Sequence, residues 1–404
     1  MSDSLLPHVM QAYVQAQGPL DNDRLYAAVA QSAQLSLDLF EEKVPVGRSQ
    51  QPVNLLKRKI RWHQQTLRDA NVITRLSDKR GVWFLSQPES KELNRISDGM
   101  CVLGFSTRLG IAIIGSCKDF FTGYNEPIHA IITSPPYPLA RPRAYGNAPV
   151  SEYVDWICEM LEPVLTNLVD GGSIALNISN DIFMAKSPAR STYVERLVIA
   201  LEDRFGLCLM DRLIWENPSK PPGPIAWASK ERVQLNVAYE PIYWFTNNPD
   251  KVLSNNQRVL QPHSDSHAKL LARGGETRSA NYCDGAYRIR PGSFGRQTAG
   301  RIPRNILKHS HMSTQHRAYR AACLAEGLPA HGAMMPYSLA KFLVEFLTDK
   351  GHRVADIFSG SFTMAQACEE AERNWVATER VLEYVKGGAN RFRNAPGFDL
   401  APVW

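Results

Sequence analysis

The chain has 404 residues, 44% hydrophobic and 21% charged, with a formal net charge of +6. That length leaves room for two or three globular domains, and no apolar run approaches the roughly 18–20 residues of a membrane span. Seven scattered cysteines lack paired metal spacing, and Met1-Ser2-Asp3-Ser4 lacks the features of a signal peptide, so a reduced, cytoplasmic protein is expected.

Residues 1–86 read as a small helical module that ends in a hairpin. Leu6, Val9, Met10 and Tyr13 recur at helical spacing, and Asp21 or Asn22 can cap a second helix holding Leu25 and Val29. A third helix carries Val53, Leu56, Ile60, His63 and Leu67 on one face and Lys57, Arg58, Lys59 and Arg61 on the other. Asn71–Ser86 gives two short β-prone runs around the turn-like Ser77-Asp78-Lys79-Arg80-Gly81. Three helices and a β-wing resemble a winged helix of the kind attached to restriction and modification proteins, which serves either DNA contact or protein docking. Residues 87–100 are polar and read as a linker.

From residue 101 strands alternate with helices, which predicts an α/β fold with a mainly parallel sheet. Buried strands are expected at 110–115, 128–133, 173–178, 207–215 and 241–245. Ser151 can cap a helix with Val154, Ile157, Leu161, Leu165 and Leu168 on its apolar face, stopping at Gly171-Gly172. The rhythm breaks over 247–330. Between Lys251 and Arg320 there are thirteen Lys and Arg against three acids, a patch suited to a polyanion or a solvated basic loop. Within 331–404, helices at 337–348 and from 363 alternate with strands at 353–358 and 375–378, before a last helix.

Two stretches carry chemistry. The strand Ile128–Thr133 runs straight into Ser134-Pro135-Pro136-Tyr137. The prolines remove two donors and fix two φ angles, so the strand must stop, leaving either a plain exit or a clamp for a small flat group. The second is Phe358-Ser359-Gly360-Ser361-Phe362-Thr363, a strand-to-helix turn of small residues that a ligand can approach closely. Glu379 follows Gly360 by nineteen residues at the end of the next strand, where a carboxylate can accept from the two hydroxyls of a nucleoside ribose. A structural turn fits the second stretch nearly as well, and its single glycine fails a dinucleotide fingerprint.

Together these stretches resemble the amino-group DNA methyltransferases, which are S-adenosyl-L-methionine-dependent enzymes acting on N4 of cytosine or N6 of adenine. Their catalytic motif has the form [Ser/Asp/Asn]-Pro-Pro-[Tyr/Phe]; their cofactor motif, Asp-x-Phe-x-Gly-Ser-Gly-Thr, appears here as Asp356 to Thr363. The catalytic motif precedes a basic region and the cofactor motif comes last, the permuted order of the β-type branch. The resemblance spans about residues 101–393. It includes a Trp/Pro-rich motif at 213–224, a Glu-bearing strand at 239–245 and a lead-in at 331–339.

The resemblance implies a Rossmann-like class I methyltransferase fold divided into a catalytic half (101–246), a target-recognition region (247–330) and a cofactor half (331–404). It implies that the Ser134 hydroxyl and the Pro135 carbonyl hold the target amine, with Pro136 fixing the corner and Tyr137 stacking on a flipped base. Cofactor contacts are carried over to Asp356, Phe358, Ser359, Gly360, Ser361, Thr363, Glu379, Ser116 and Pro336. Double-stranded DNA would meet Arg273, Arg278, Arg288, Arg290, Arg296, Arg301 and Arg304; the location would be the nucleoid, and a cognate restriction endonuclease is the further partner. Serine at the first motif position favours N4 of cytosine over N6 of adenine.

Three departures stand out. Phe362 replaces the usual glycine, which puts cofactor affinity in question; Ile357 stands where proline is common; and Ser116 stands where an acid is frequent. A non-catalytic DNA-binding protein of the same fold, or an RNA or protein methyltransferase, are the competing readings. His309, His311 and His316 lack the cysteine or carboxylate partners of a zinc site, so no metal is expected.

Overall fold

The computed structural model describes residues 5–16, 19–46, 51–69, 73–76, 81–85, 93–139 and 143–402. They form two compact units, one within Met1–Glu92 and the other Leu93–Trp404. None of the described helices is long and apolar enough to cross a membrane.

The second unit is built on a ten-stranded sheet. In chain order its strands are β1 (Val102–Ser106), β2 (Gly110–Ile114), β3 (Ile128–Thr133), β4 (Leu168–Asn177), β5 (Cys208–Glu216), β6 (Tyr239–Thr246), β7 (Ile306–Lys308), β8 (Arg353–Asp356), β9 (Asn374–Glu379) and β10 (Asp399–Leu400). Across the sheet they run β7-β5-β6-β4-β3-β8-β9-β2-β1-β10. The five central strands, β4 to β2, are mutually parallel. The β5–β7 pair is also parallel, and the remaining contacts are antiparallel.

Parallel strands are buried on both faces, which is why they read as unbroken apolar runs. Residues Ala130 and Ile132 of β3 enter one core and Ile128 and Ile131 the other. The first core is closed by α6 (Tyr337–Leu347), α7 (Thr363–Glu370) and α8 (Leu382–Ala389), through Leu339, Leu343, Met364 and Val385. The second is closed by α1 (Cys117–Thr122), α2 (Tyr153–Leu165) and α3 (Tyr193–Phe205), through Phe121, Ile157, Leu161, Leu197 and Leu201. Two further helices, α4 (Asp265–Ala272) and α5 (Thr314–Ala325), lie in the basic region.

Several expectations are corrected by packing. The N-cap position of α2 is Glu152 rather than Ser151, and no side chain bonds there. This helix ends at Leu165; Leu168, Gly171 and Gly172 belong to β4, where Gly171 takes φ +79 and would drive a Cβ into the Lys251 carbonyl at 1.9 Å. The basic region also contributes to the sheet: β7 pairs with β5 through Leu307, a single buried residue too short a signal to read as a strand. Residues 93–100, expected in the linker, are tied to the second unit. Asn94 Nδ2 donates to Glu383 Oε1 at 2.7 Å, and Arg95 Nη2 donates to the Ala144 carbonyl at 2.9 Å.

The first unit holds helices Leu6–Gln15, Asn22–Ser32 and Leu55–Asp69, with antiparallel strands Ile73–Arg75 and Trp83–Leu85. A second short ladder, Val44–Val46 with Gln51–Val53, precedes the third helix. Asp21 caps the second helix by accepting from Arg24 N at 2.8 Å. Val9, Tyr13, Leu25, Val29, Ile60 and Leu67 form its core. The Leu6 and Met10 side chains and Ser77–Arg80 of the expected turn lie outside the described residues.

Candidate active site

Strands β3 and β8 are neighbours in the sheet, though 219 or more residues separate them in the chain. The chain leaves them at the same edge, and in such sheets ligands bind beyond the carboxyl ends where the winding reverses. Thr133 closes β3 and Asp356 closes β8, and the Thr133 hydroxyl donates to Asp356 Oδ1 at 2.8 Å. Just past them open the Ser134-Pro135-Pro136-Tyr137 corner on one side and the Gly360 loop on the other. Both line one cavity of about 1170 Å³.

The corner is held by a chain of hydrogen bonds. The Ser134 hydroxyl lies 3.2 Å from the Tyr137 hydroxyl, which donates to Glu240 Oε2 at 2.8 Å. Lys220 Nζ donates to Glu240 Oε1 at 3.0 Å, and both side chains are largely shielded. Asn177, at the end of β4, turns its Oδ1 to the Tyr137 hydroxyl at 3.4 Å while its Nδ2 donates to the Pro241 carbonyl. Burial, with Glu240 beside it, holds the Tyr137 phenol well above its usual pKa, so it keeps its proton. Lys220, Glu240 and Asn177 come from three different strand ends, one of them the start of the antiparallel β6.

On the other side Gly360 adopts φ +49, and its N–H donates to Glu379 Oε2 at 2.9 Å. The second Glu379 oxygen accepts from Val381 N at 2.9 Å. Burial still raises the Glu379 carboxyl, and it raises the Asp356 carboxyl to about 7 against the bonds from Thr133 and Phe358 N. The His331 ring covers Gly360, so that a Cβ there would meet it at 3.0 Å. His331 stacks on Tyr145 at 5.1 Å, and burial lowers its pKa to about 4, leaving it neutral. Phe358 packs on Trp156 at 5.4 Å beside the loop, giving the cavity an apolar slot next to two carboxyl groups.

Comparison with known proteins decides the family. The DNA methylase family N6_N4_Mtase matches residues 128–390. The type II methyltransferase M.PvuII of Proteus hauseri is 33% identical over 289 residues, covering 71% of this chain and 85% of that protein. The chain belongs to the N6/N4 DNA methylase family. A solved structure, described as PvuII DNA methyltransferase (cytosine-N4-specific), covers 72% of this methylase and 90% of its own chain, with a TM-score of 0.57 at 29% identity. M1.HpyAVI in complex with SAM is a looser likeness, with 17% identity and a TM-score of 0.40 over 69% of this chain and 94% of that one.

In this methylase the cavity brings together all four corner residues and Ser116, Asp356, Phe358, Ser359, Gly360, Ser361, Thr363 and Glu379. Pro336 is the exception. It is buried at the N-cap of α6, and Met334 and Met335 line the wall instead. Phe362 does not line the cavity either. That residue takes φ +58, the left-handed backbone its usual glycine would supply, and its ring turns away from the cavity. Fully buried, the ring packs on Phe105 at 5.2 Å and fills the space left by Gly388, where a Cβ would lie 2.4 Å from it.

All seven arginines named from the basic region are exposed, and none lines the cavity. Arg301 Nε donates to the Pro262 carbonyl at 3.0 Å, and Arg278 lies 3.7 Å from Glu276. The cations on the cavity wall are others, among them Arg95, Arg143, Lys220 and Arg320. His309 bonds Ser338, His316 bonds the His311 carbonyl, and His311 meets the Trp215 ring edge. Among the described residues no three His, Cys, Asp or Glu side chains converge as metal ligands.

Lys220 and Glu240 were within reach of sequence reasoning. Each is a charged residue flanking an apolar strand inside a recognised motif, yet only folding pairs them.

Proposed function

We infer that the protein transfers a methyl group from S-adenosyl-L-methionine to N4 of cytosine in a specific duplex DNA sequence. The observation that carries this reading is the single cavity shared by the Ser134 corner and the Gly360 loop. The cytosine-N4 specificity in the name of the PvuII relative supports the choice of base.

The cavity suits the methyl donor. Bound there, S-adenosyl-L-methionine supplies an electrophilic methyl group on a cationic sulfur. Glu379 would accept from ribose hydroxyls, Asp356 would face cationic charge, and Phe358 with Trp156 would flank a flat heterocycle. Gly360 itself adds no side chain to the loop, and Ser116 begins α1 at the same wall.

An exocyclic amine is a poor nucleophile because its lone pair is delocalised into the ring. The Ser134 hydroxyl and Pro135 carbonyl would each accept one amine hydrogen, drawing nitrogen toward a tetrahedral shape. Two prolines fix the carbonyl dipole, so no reorganisation is needed as positive charge develops. A base rotated out of the duplex is required to reach this corner. The seven exposed arginines would serve mostly phosphates and a few base edges. The N-terminal unit we read as a winged helix, the site of action as the cytoplasmic nucleoid, and a restriction endonuclease as the functional counterpart.

The test is nucleoside mass spectrometry on DNA from cells expressing the protein, beside a Ser134→Ala control. N4-methylcytosine is expected in the first and is absent or reduced at least about 100-fold in the second. N6-methyladenine would overturn the base assignment, and no modified nucleoside would overturn the activity.

A further inference from the structure

The hydrogen bonds around Tyr137 have a direction, and the direction is forced. A carboxylate only accepts and an ammonium only donates, whereas a phenol has one hydrogen to give. Glu240 Oε1 receives a hydrogen from Lys220 at 3.0 Å. At 2.8 Å from Glu240 Oε2, the Tyr137 hydroxyl must give its own hydrogen there. The remaining contact, 3.2 Å between Ser134 and Tyr137, can then have only Ser134 as donor. Asn177 does not alter this, since it presents Oδ1, a second acceptor, to the same phenol. With its hydrogen committed inward, Ser134 turns only lone pairs toward the cavity.

We propose that Glu240, braced by Lys220 and acting through Tyr137, fixes Ser134 as an acceptor toward the target amine and receives the proton that the methylated amine sheds. The proposal rests on the function inferred above and deepens it, since acceptor polarity at Ser134 selects an amino hydrogen over a keto oxygen. The atoms balance. As the amine nitrogen bonds the methyl carbon, the carbon–sulfur bond breaks with its electrons left on sulfur, and nitrogen holds one proton too many. Ser134 Oγ takes that proton while its own passes to Tyr137 Oη, and the Tyr137 proton passes to Glu240 Oε2. Serine and tyrosine end neutral, and one positive charge on nitrogen has cancelled one negative charge on the carboxylate. Glu240 and Lys220 are positioning residues in this scheme, because neither touches the base. Besides Tyr137 and Lys220, His311 and Tyr193 lie in the field of Glu240. The His311 ring is kept largely neutral by burial and the Tyr193 phenol by burial, so neither competes for the proton's final position.

Glu240→Gln is the decisive variant. Lys220 would hold the amide oxygen, which turns the amide N–H₂ onto Tyr137 and frees the phenol hydrogen for Ser134, its nearer acceptor at 3.2 Å, ahead of Asn177 Oδ1 at 3.4 Å. Ser134 then becomes a donor facing a donor. Tyr137→Phe merely cuts the chain and leaves Ser134 free to rotate. Single-turnover methylation of a duplex carrying the site mapped in methylated cellular DNA should therefore fall on the order of 100- to 1000-fold in Glu240→Gln and about tenfold in Tyr137→Phe. In binding assays without turnover, the ratio of affinities for that duplex with dC or dU at the target should shift about tenfold toward dU in Glu240→Gln. Comparing ratios between proteins cancels the easier extrusion of the mismatched dU. Lys220→Met keeps the carboxylate but removes the donor that seats its Oε1 at 3.0 Å, and should slow the same single turnover about tenfold. Calorimetric binding of S-adenosyl-L-methionine checks that each variant is folded. Should Glu240→Gln be no slower than Tyr137→Phe, with an unchanged dC/dU ratio, the relay is wrong. Should Glu240→Gln not fold, an undiminished rate in Lys220→Met overturns it equally. A wild-type protein that makes no methylcytosine would instead overturn the function it rests on.

Discussion

Phe362 shows how one substitution is absorbed by another position. A non-glycine residue at φ +58 costs about 1 kcal/mol, and the ring offsets that cost by filling the core against Phe105 and the bare Cα of Gly388. Gly388→Ala should therefore lower stability by about 1–3 kcal/mol, measured by urea denaturation, and the loss should vanish in a Phe362→Gly background. Asp356 carries a different consequence. Its carboxyl is raised to about 7, so below that pH it is mostly neutral and above it mostly anionic. S-adenosyl-L-methionine bears a cationic sulfur, so calorimetry should find it bound about tenfold more tightly at pH 8 than at pH 6. Asp356→Asn should remove that dependence.

At the scale of elements, the site is an assembly of strand ends. Ser134, Asn177, Asp356 and Glu379 follow or close parallel strands, and each is a polar residue at the end of an apolar run. Such endings are legible, because a buried strand must stop where its side chains turn polar. Strand β6 behaves differently. It runs antiparallel to β4, so it presents its first residues at the same edge, and Glu240 enters the site from a strand start. Helix ends were less legible than strand ends. The α2 stop six residues before Gly171 follows no glycine, and Leu168 continues the helical spacing although it belongs to β4. Periodicity alone cannot separate a helix from a strand over so short an overlap.

At the scale of the molecule, the two units each own a hydrophobic core. The boundary at 92/93 leaves Asn94 and Arg95 on the catalytic side, fastened to α8 and to the Ala144 carbonyl. A fragment beginning at residue 93 should fold and bind S-adenosyl-L-methionine with an affinity within about threefold of the full chain, a difference under 1 kcal/mol. Calorimetry on the purified fragment checks this. A fragment that fails to bind would show that the catalytic core depends on residues before 93.

By itself the sequence determined the α/β alternation, the proline corner, the glycine loop and the order in which they occur, because these follow from local backbone chemistry and from which residues tolerate burial. Only the tertiary structure decided that β3 and β8 lie side by side, that Phe362 points inward, that Pro336 stays off the wall, and that Lys220, Glu240 and Tyr137 meet. Those facts depend on sheet order and on contacts between residues far apart in the chain, for which no local period or propensity leaves a trace.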